Sequence, residues 1–317
     1  MAFGQNRYPY HNGRLTPESP VVSTVRVPGS SANLGPGFDS LGIALNVHLT
    51  CRFWPAAVSK VCVSGRDAEL IPATGQNLIV TTAQAVAARS HRQLPGFELE
   101  IANEIPLGKG LGSSAAAIVA GVTIAERLLK MGWKVGRILD EAVRIEGHPD
   151  NVSASILGSI VSSAVDAGGM TRAVRLPLPA KMGVCVVVPN YNLPTKESRA
   201  VLPETYSRAD AIFNVQRVAL LVASLATGDI AAFPTALEDR MHQPFRAKLV
   251  PGLPEILRLR APGLLGCVLS GAGPAVLVFY ETGHEKVAEL VRQIFAMNGF
   301  TTEIITCGVS GSGYELS

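Results

Sequence analysis

A glycine-rich run at residues 105–121, IPLGKGLGSSAAAIVAG, constrains the fold of this chain more than any other segment. Its first half contains three closely spaced glycines, Gly108, Gly110 and Gly112, which permit tight backbone conformations that other residues rarely adopt. Its second half opens a stretch, 113–130, whose apolar residues recur at helical spacing and stop before Gly132. The sequence therefore predicts a narrow loop that leads directly into a helix.

A loop of this kind suits an anion such as phosphate, because backbone N–H groups can surround a ligand where side chains are absent. Ser113 and Ser114 fall at the predicted helix N-terminus, where N–H groups lack partners and the helix dipole favours negative charge. Lys109 adds a positive charge, and we expect it either to touch phosphate or only to solvate the loop. The Walker A and dinucleotide-binding patterns do not match, since Gly110 follows the lysine and Ser113 replaces a required glycine.

Composition is that of a globular protein large enough for two domains. The chain has 317 residues, of which 47% are apolar and 17% charged. Its net charge of +3 is scattered, so no nucleic-acid-binding surface is expected. Five cysteines without metal-ligand or CxxC spacing indicate reduced, mostly buried thiols. The polar N-terminal segment and the lack of an apolar run of about 20 residues favour a cytoplasmic protein that does not bind membranes.

The order of strand-like and helical segments is mixed, which predicts an α+β fold. Strands are expected at 21–27, 43–50, 58–63, 97–101, 158–165, 182–189, 266–280 and 301–307. Helices are expected at 78–89, 113–130, 136–146, 210–226 and 285–297. The segment 166–180 contains GG and LPLP and little periodicity. We therefore predict a flexible tail at 1–20, an N-terminal domain at 21–172 and a C-terminal domain at 173–317.

Three segments in the same order resemble the motifs of the GHMP kinases. PLGKGLGSSAAA (106–117) resembles the ATP-binding motif of that family, and VRVPGSSANLGPGFDSLGIALN (25–46) is similar to its first motif. GCVLSGAGPAVLVFY (266–280) is similar to the third motif, with Ala275 where threonine is usual. The resemblance implies a kinase with two domains. The N-terminal domain would resemble ribosomal protein S5 domain 2, and the C-terminal half would be ferredoxin-like.

The first motif has the form found in the homoserine kinases of this family. The resemblance therefore implies ATP-dependent phosphorylation of L-homoserine on its side-chain hydroxyl, in threonine biosynthesis, with Mg²⁺ and in a homodimer. Two alternatives stay open. One is a GHMP kinase for another alcohol such as mevalonate or a sugar, and the other is a nucleotide-binding relative without activity.

The resemblance also assigns the residues of the site. The ATP-binding residues would be Pro106, Leu107, Gly108, Lys109, Gly110, Leu111, Gly112, Ser113, Ser114 and Ala115. Glu146, in the string EGHPDN, and Ser114 would hold Mg²⁺, whose preferred ligands are oxygens. The substrate-binding residues would be Asn33, Asp39, His148, Asn151, Thr195, Arg199 and Arg246.

The charges of an amino-acid substrate agree with these residue types. Asp39 would accept the ammonium, while Arg199 and Arg246 would hold the carboxylate. Asn151 would lie close to the reacting hydroxyl as a catalytic residue, together with Glu146 and Ser114. Because an amide cannot take up a proton at neutral pH, the γ-phosphate itself would receive the hydroxyl proton. Asp150 is the alternative base. Near Arg246, Gln243 stands where glutamate is usual.

Overall fold

The computed structural model describes residues 21–317, and the tail predicted at 1–20 lies outside them. The structure has two β-sheets with helices packed against them. The first sheet contains β1 (Ser23–Ala32), β2 (Leu41–Pro55), β3 (Lys60–Gly65), β4 (Phe97–Asn103), β5 (Ile160–Val165), β6 (Thr171–Leu176) and β11 (Glu315–Leu316). The second sheet contains β7 (Met182–Pro189), β8 (Leu264–Leu269), β9 (Val276–Glu281) and β10 (Thr302–Ile305).

Ten α-helices accompany these strands in the described part of the chain. They are α1 (Leu78–Arg89), α2 (Ser113–Leu129), α3 (Val135–Glu146), α4 (Asp150–Leu157), α5 (Thr195–Ala200), α6 (Arg208–Thr227), α7 (Phe233–Ala236), α8 (Gln243–Arg246), α9 (Leu253–Leu257) and α10 (Ala288–Met297). Every predicted segment contains the expected type of element, with ends that differ by a few residues, and the segment 266–280 holds two strands, β8 and β9. The α+β class is confirmed.

The first sheet is organised by the long strand β2, which pairs antiparallel with β1 along its whole length. Its first residues also pair with β5, and its second half pairs with β4. Pairing between β3 and β4 is parallel. The register of β1 and β2 shifts between Pro28 and Gly29, and beyond this shift Ser30 donates its N–H to the carbonyl of Leu111 (2.9 Å). The irregularity thus brings the end of β1 against the glycine-rich loop.

The helix α2 is the central helix of the first domain. Ten of its residues are buried, and small side chains predominate at its start. Gly121 allows α1 to approach closely, because a Cβ at this position would lie 2.6 Å from the carbonyl oxygen of Ile79. The small residues of α2 therefore allow close packing against α1 as well as a narrow loop before the helix. This packing fixes the N-terminus of α2 relative to the sheet.

The passage from the first sheet to the second occurs later than the predicted boundary. Residues 172 and 173 lie inside β6, which pairs with β5 of the first sheet. Strand β7, which begins at Met182, is the first strand of the second sheet. The end of the chain returns to the first sheet, where β11 pairs with β1. The predicted division at 172/173 falls inside β6, and the segment 177–181 connects β6 to β7.

Helix α6 is, within residues 21–317, the one helix long and apolar enough to cross a membrane by length and composition alone. Of its apolar stretch, 22% is buried within the protein. The side-chain amide of the buried Asn214 donates to Pro36 O and to Asp239 Oδ1, each at 3.1 Å. These bonds hold α6 against the rest of the protein.

The five cysteines are free, as predicted. Cys51, Cys185 and Cys267 are buried, whereas Cys62 is exposed. Burial raises the pKa of the Cys51 and Cys185 thiols to about 12, so these side chains are neutral packing groups at neutral pH.

Candidate active site

A cavity of about 230 Å³ brings most of the predicted site residues together. It is lined by all seven residues predicted to bind substrate, Asn33, Asp39, His148, Asn151, Thr195, Arg199 and Arg246. Both predicted metal ligands, Ser114 and Glu146, also line it, as do Gly108, Gly110, Leu111, Gly112 and Ser113 of the loop. The other four residues predicted to bind ATP, Pro106, Leu107, Lys109 and Ala115, are not among its lining residues. The cavity therefore combines the predicted phosphate loop with the predicted amino-acid pocket.

The loop has the backbone geometry that its glycines predict. Gly108, Gly110 and Gly112 have φ angles of 66°, 79° and 70°, a region in which other L-residues are strained. Gly112 is the N-cap residue of α2, and no side chain caps the helix. The serine hydroxyls that follow are thus not used as caps. The N-terminal N–H groups of α2 are left for another acceptor, at the positive end of the helix dipole.

The third motif holds this loop in place. Ser270 Oγ lies 2.7 Å from the carbonyl oxygen of Gly110 and 2.8 Å from Ser31 Oγ of the first motif. A Cβ at Gly110 would collide with the carbonyl oxygen of Ser270. The buried Ala275 donates its N–H to Lys109 O (3.2 Å) and accepts from the N–H of Ser270 (2.8 Å). Position 275 therefore contacts the loop through its backbone, which alanine and threonine both provide.

Lys109 makes contacts that the sequence did not predict. Its ammonium donates to the carbonyl oxygens of Pro189 (2.9 Å) and Tyr191 (2.7 Å), at the end of β7. Burial lowers the pKa of this lysine. The side chain fastens the loop to the second sheet. It also lines a second cavity on the other side of the loop, shared with Arg66, Asp67 and Pro106.

The proposed metal ligands lie where α3 ends and α2 begins. Ser114 Oγ donates to Glu146 Oε1 at 3.3 Å. Burial raises the pKa of Glu146, although the positive charge of His148 opposes the shift. A bound cation would offset the cost of burying this carboxylate. A carboxylate and a hydroxyl oxygen are also donors that a hard divalent cation accepts, so these residues fit Mg²⁺.

His148 connects the carboxylates of this region. Its Nδ1 lies 2.8 Å from Asp150 Oδ1, and its Nε2 lies 3.9 Å from Glu146 Oε1. Burial alone would lower the pKa of His148, but its hydrogen bond to Asp150 and the two negative charges outweigh burial and raise it. The backbone N–H of Asn151 also donates to Asp150 Oδ1 (2.8 Å). Asp150 thus fixes the turn from α3 into α4.

The amino-acid side of the cavity contains one carboxylate and two guanidinium groups. Arg199 donates from Nη2 to Asp39 Oδ1 (2.7 Å) and from Nη1 to Asp39 Oδ2 (3.2 Å). The Phe38 ring lies 5.6 Å from the guanidinium carbon of Arg199 and 5.5 Å from that of Arg246. The loop carrying Asp39 is held by Asn33, whose Oδ1 accepts from the N–H of Asp39 and whose Nδ2 donates to Gly271 O, both at 3.0 Å.

Arg246 is buried and extensively hydrogen-bonded. Its Nε donates to Ser198 O (3.2 Å), and its Nη1 donates to Gly271 O (3.0 Å) and to Nδ1 of His242 (3.1 Å). Burial, together with the positive charge of Arg199, lowers the pKa of Arg246 to about 10. It stays protonated at neutral pH. Of its three nitrogens, Nη2 is the one with no hydrogen-bond partner in the described residues.

Sequence reasoning missed several residues that support this pocket. His242 donates from Nε2 to Gly35 O (2.7 Å), and Gln243 Oε1 accepts from the N–H of Leu269 (2.8 Å). Gln243 therefore ties α8 to the end of β8, inside the third motif. Ser30 donates to Asn151 Oδ1 at 2.9 Å. In the sequence, these residues lie in the strings MHQPFR and GSSAN. Neither string indicates which distant residues they contact.

Comparison with known proteins gives one consistent result. Family models described as GHMP kinases N terminal domain and GHMP kinases C terminal match residues 77–159 and 221–296. The chain is 62% identical to a homoserine kinase of Solibacter usitatus over 293 residues, covering 92% of this chain and 96% of the relative. It is 42% identical to a homoserine kinase of Deinococcus radiodurans over 92% of this chain and 95% of the relative. Among solved structures, homoserine kinase from Cytophaga hutchinsonii superposes with a TM-score of 0.80 at 26% identity, over 98% of this chain and 100% of that chain.

Proposed function

Since the chain belongs to the GHMP kinase family and, within it, to the homoserine kinases, we propose that it transfers the γ-phosphoryl group of ATP to the side-chain hydroxyl of L-homoserine. The products are ADP and O-phospho-L-homoserine, an intermediate of threonine biosynthesis. One observation carries the proposal. A carboxylate and two guanidinium groups, Asp39, Arg199 and Arg246, share a single cavity with the N-terminus of α2, so complementary charges for a zwitterion lie beside a phosphate site.

The nucleotide site is proposed at the loop 106–115. The uncapped N-terminus of α2 and the left-handed glycines present N–H groups to the phosphates. Ser113 and Ser114 add hydroxyl donors to the same oxygens. The second cavity, lined by Pro106 and the alkyl chain of Lys109, offers room for the nucleoside on the far side of the loop.

Glu146 and Ser114 are the residues proposed to hold Mg²⁺. When bound, the cation neutralises charge on the phosphate oxygens and orients the transferred group. His148 lies next to Glu146 and is hydrogen-bonded to Asp150, so its positive charge offsets the repulsion between the two carboxylates. These protein groups position the reactants and balance charge, which is most of what phosphoryl transfer requires of an enzyme.

The amino acid is proposed to bind with its ammonium at Asp39 and its carboxylate at Arg199 and Arg246. Arg199 presents a half-buried guanidinium that is paired with Asp39, whereas Arg246 is fixed by three hydrogen bonds. Mevalonate has no ammonium for Asp39, and a sugar has neither charge. The charge pattern therefore favours homoserine over the other alcohols that GHMP kinases phosphorylate.

Proton transfer is proposed to proceed without a protein base. Asn151 lies at the start of α4 and lines the cavity, and its amide cannot accept the hydroxyl proton. The proton would pass to an oxygen of the transferred phosphoryl group. Asp150 is the alternative base, but its Oδ1 already accepts from His148 and from the N–H of Asn151. An Asp150→Asn variant that keeps turnover within a few fold would favour the mechanism without a base.

A cytoplasmic location and a homodimer complete the proposal on family grounds. Light scattering coupled to gel filtration gives the oligomeric state directly. A dimer mass would support the proposed homodimer, and a monomer mass at the concentration used in the activity assay would contradict it.

The deciding experiment measures ADP release with ATP and Mg²⁺ against L-homoserine, D-homoserine, L-serine, mevalonate and galactose. Turnover confined to L-homoserine, with the phosphorylated product identified by ³¹P NMR, supports the proposal. Turnover with mevalonate or galactose alone would support the assigned phosphate site and contradict the assigned amino-acid pocket. ATP binding without any turnover would point to a nucleotide-binding protein.

A further inference from the structure

We infer that Ser30, a buried residue outside the cavity, is a positioning residue that fixes the orientation of the Asn151 amide so that its NH₂ group faces the reactants. The inference rests on the proposed function, in which Asn151 lies at the reacting hydroxyl. No sequence motif assigned this task to Ser30.

A short relay of buried hydroxyl groups leads to Asn151. Ser155 Oγ, on α4, donates to Ser30 Oγ at 3.2 Å, and Ser30 Oγ donates to Asn151 Oδ1 at 2.9 Å. Ser30 and Ser155 are completely buried. When Ser155 donates to Ser30, the single hydrogen of the Ser30 hydroxyl is available for Asn151, and this arrangement pairs it with the amide oxygen. The amide oxygen therefore lies on the Ser30 side.

This orientation determines which end of the Asn151 amide faces the cavity. With Oδ1 engaged by Ser30, the Nδ2 group of Asn151 is a donor with no protein acceptor in the described residues, and Asn151 lines the cavity. A donor there can bind the hydroxyl oxygen or a phosphate oxygen, both of which carry negative charge during transfer. A flipped amide would present its carbonyl oxygen to the same negative charge.

Ser30 is also in contact with the phosphate loop. Its backbone N–H donates to Leu111 O (2.9 Å), and a Cβ at Gly112 would collide with its hydroxyl. The same residue therefore sets the distance between the loop and Asn151. A terminal amide torsion is otherwise broad and two-fold, so little besides this hydrogen bond distinguishes the two orientations.

The test uses Ser30→Ala with Ser153→Ala as its matched control. Ser153 is a buried serine on α4 whose hydroxyl has no hydrogen-bond partner in the described part of the chain. We expect Ser30→Ala to lower kcat by about 10- to 100-fold, the range for a misplaced catalytic group. KM for L-homoserine and ATP should change far less, and Ser153→Ala should retain wild-type kcat. Ser30→Cys keeps the volume but donates weakly. It should also lose kcat, and wild-type kcat in this variant would contradict the inference.

A double-mutant cycle separates positioning from a general structural defect. In an Asn151→Ala background, Ser30→Ala should cause no further loss, because the amide that it aims is gone. The same fold loss in both backgrounds would overturn the inference.

A second readout does not depend on activity. The side-chain amide ¹H–¹⁵N signals of Asn151, assigned by their absence in Asn151→Ala, should shift in Ser30→Ala and not in Ser153→Ala. Unshifted signals would contradict the inference. Wild-type turnover of L-homoserine is measured first, so its absence would count against the proposed function, while the amide signals would still decide the role of Ser30.

Discussion

Asp39 and Arg199 form a two-point ion pair inside the cavity, with Arg199 Nη2 2.7 Å from Asp39 Oδ1 and Nη1 3.2 Å from Oδ2. The two side chains are 32% and 37% exposed, so both are open to a ligand. They come from sequence positions 160 residues apart. The residues proposed to bind the two ends of a zwitterion therefore lie side by side, and each holds the other in place.

This pairing predicts that Asp39→Asn weakens amino-acid binding. The bound amino acid would bury the pair between its ammonium and Asp39. We therefore expect KM for L-homoserine to rise by about 30-fold or more, since loss of one partner of a buried charge pair costs about 2–5 kcal/mol. The reason is the lost attraction for the ammonium. Steady-state kinetics with L-homoserine and with 4-hydroxybutyrate, which lacks the ammonium, measure the effect. The preference of the wild-type enzyme for L-homoserine should shrink in the variant.

The surface pair Asp166–Arg172, with 3.0 Å between Oδ2 and Nε, provides a matched control. Asp166→Asn should leave both KM values unchanged. If Asp39→Asn retained the wild-type preference for L-homoserine, the ammonium site would lie elsewhere.

Glu146 is predicted to be indispensable for turnover. Glu146→Gln keeps the size of the side chain and its contact with Ser114 but removes the charge proposed to hold Mg²⁺. We expect kcat to fall by more than about 100-fold, in line with the several kcal/mol that a bound cation supplies. The measurement is kcat as a function of Mg²⁺ concentration, with ATP binding followed separately. A variant with the Mg²⁺ dependence and kcat of the wild type would contradict the assignment.

The parts of the site that sequence predicts well are those set by local backbone chemistry. Gly108, Gly110 and Gly112 predict a left-handed loop, and the apolar period after Ser113 predicts the helix that follows. Both depend on neighbours within a few residues. The position of β7 was also predicted from local sequence, because an almost continuously apolar run of eight residues is typical of a central strand.

Contacts across long sequence separations could not be predicted in this way. The partners of Lys109 at Pro189 and Tyr191, and of His242 at Gly35, are fixed only when the two sheets pack together. Residue type does not indicate which carbonyl a cation will reach. For the same reason Lys109 was expected at phosphate or in solvent.

Short elements with weak patterns were also missed. β6 has six residues, alternates imperfectly and lies between GG and LPLP, so the domain boundary was placed inside it. α4 begins inside the string HPDN, at Asp150, and its eight residues are too few to show a clear helical period. For β6 and for α4, contacts with distant parts of the chain determine the structure more than the local residue preferences do.

Gly110→Ala should damage the phosphate loop. The alanine Cβ would meet the carbonyl oxygen of Ser270 at a φ of 79°, so the loop must move away from the third motif. We expect KM for ATP to rise and the midpoint of thermal unfolding to fall. Kinetics at saturating L-homoserine and thermal denaturation measure these changes.

Gly132 offers a control with the same backbone conformation. Its φ is 67°, and nothing lies within 4 Å of an added Cβ. Gly132→Ala should cost about 1–2 kcal/mol of stability through backbone strain alone and leave KM for ATP unchanged. Equal effects of the two substitutions on KM would mean that the contact with Ser270 is unimportant for nucleotide binding.

His242 should make the stability of the protein sensitive to acid. Its side chain is completely buried between Gly35, Arg246 and Asp239. Burial lowers the pKa of His242 below its ordinary value of 6.5, assisted by the positive charge of Arg246 and opposed by Asp239. The folded state thus favours the neutral imidazole, which donates from Nε2 and accepts at Nδ1.

The direction of the pH effect follows from this lowered pKa. Above pH 6.5 the imidazole is neutral in both states and its contribution to stability is complete. As the pH falls below 6.5, the unfolded chain takes up the proton first, so the free energy of unfolding decreases until the folded pKa is passed. Each unit of lowered pKa corresponds to about 1.4 kcal/mol.

The variant His242→Gln tests this linkage, because glutamine can donate to Gly35 and accept from Arg246 without titrating. Urea unfolding at pH 7.5 and pH 5.5 should show a smaller loss of stability in the variant than in the wild type. The exposed His91, with a left-handed φ of 52°, provides the control His91→Asn, since asparagine tolerates that conformation. The control should keep the pH dependence of the wild type. If His242→Gln kept it as well, acid would destabilise the fold through groups other than this histidine.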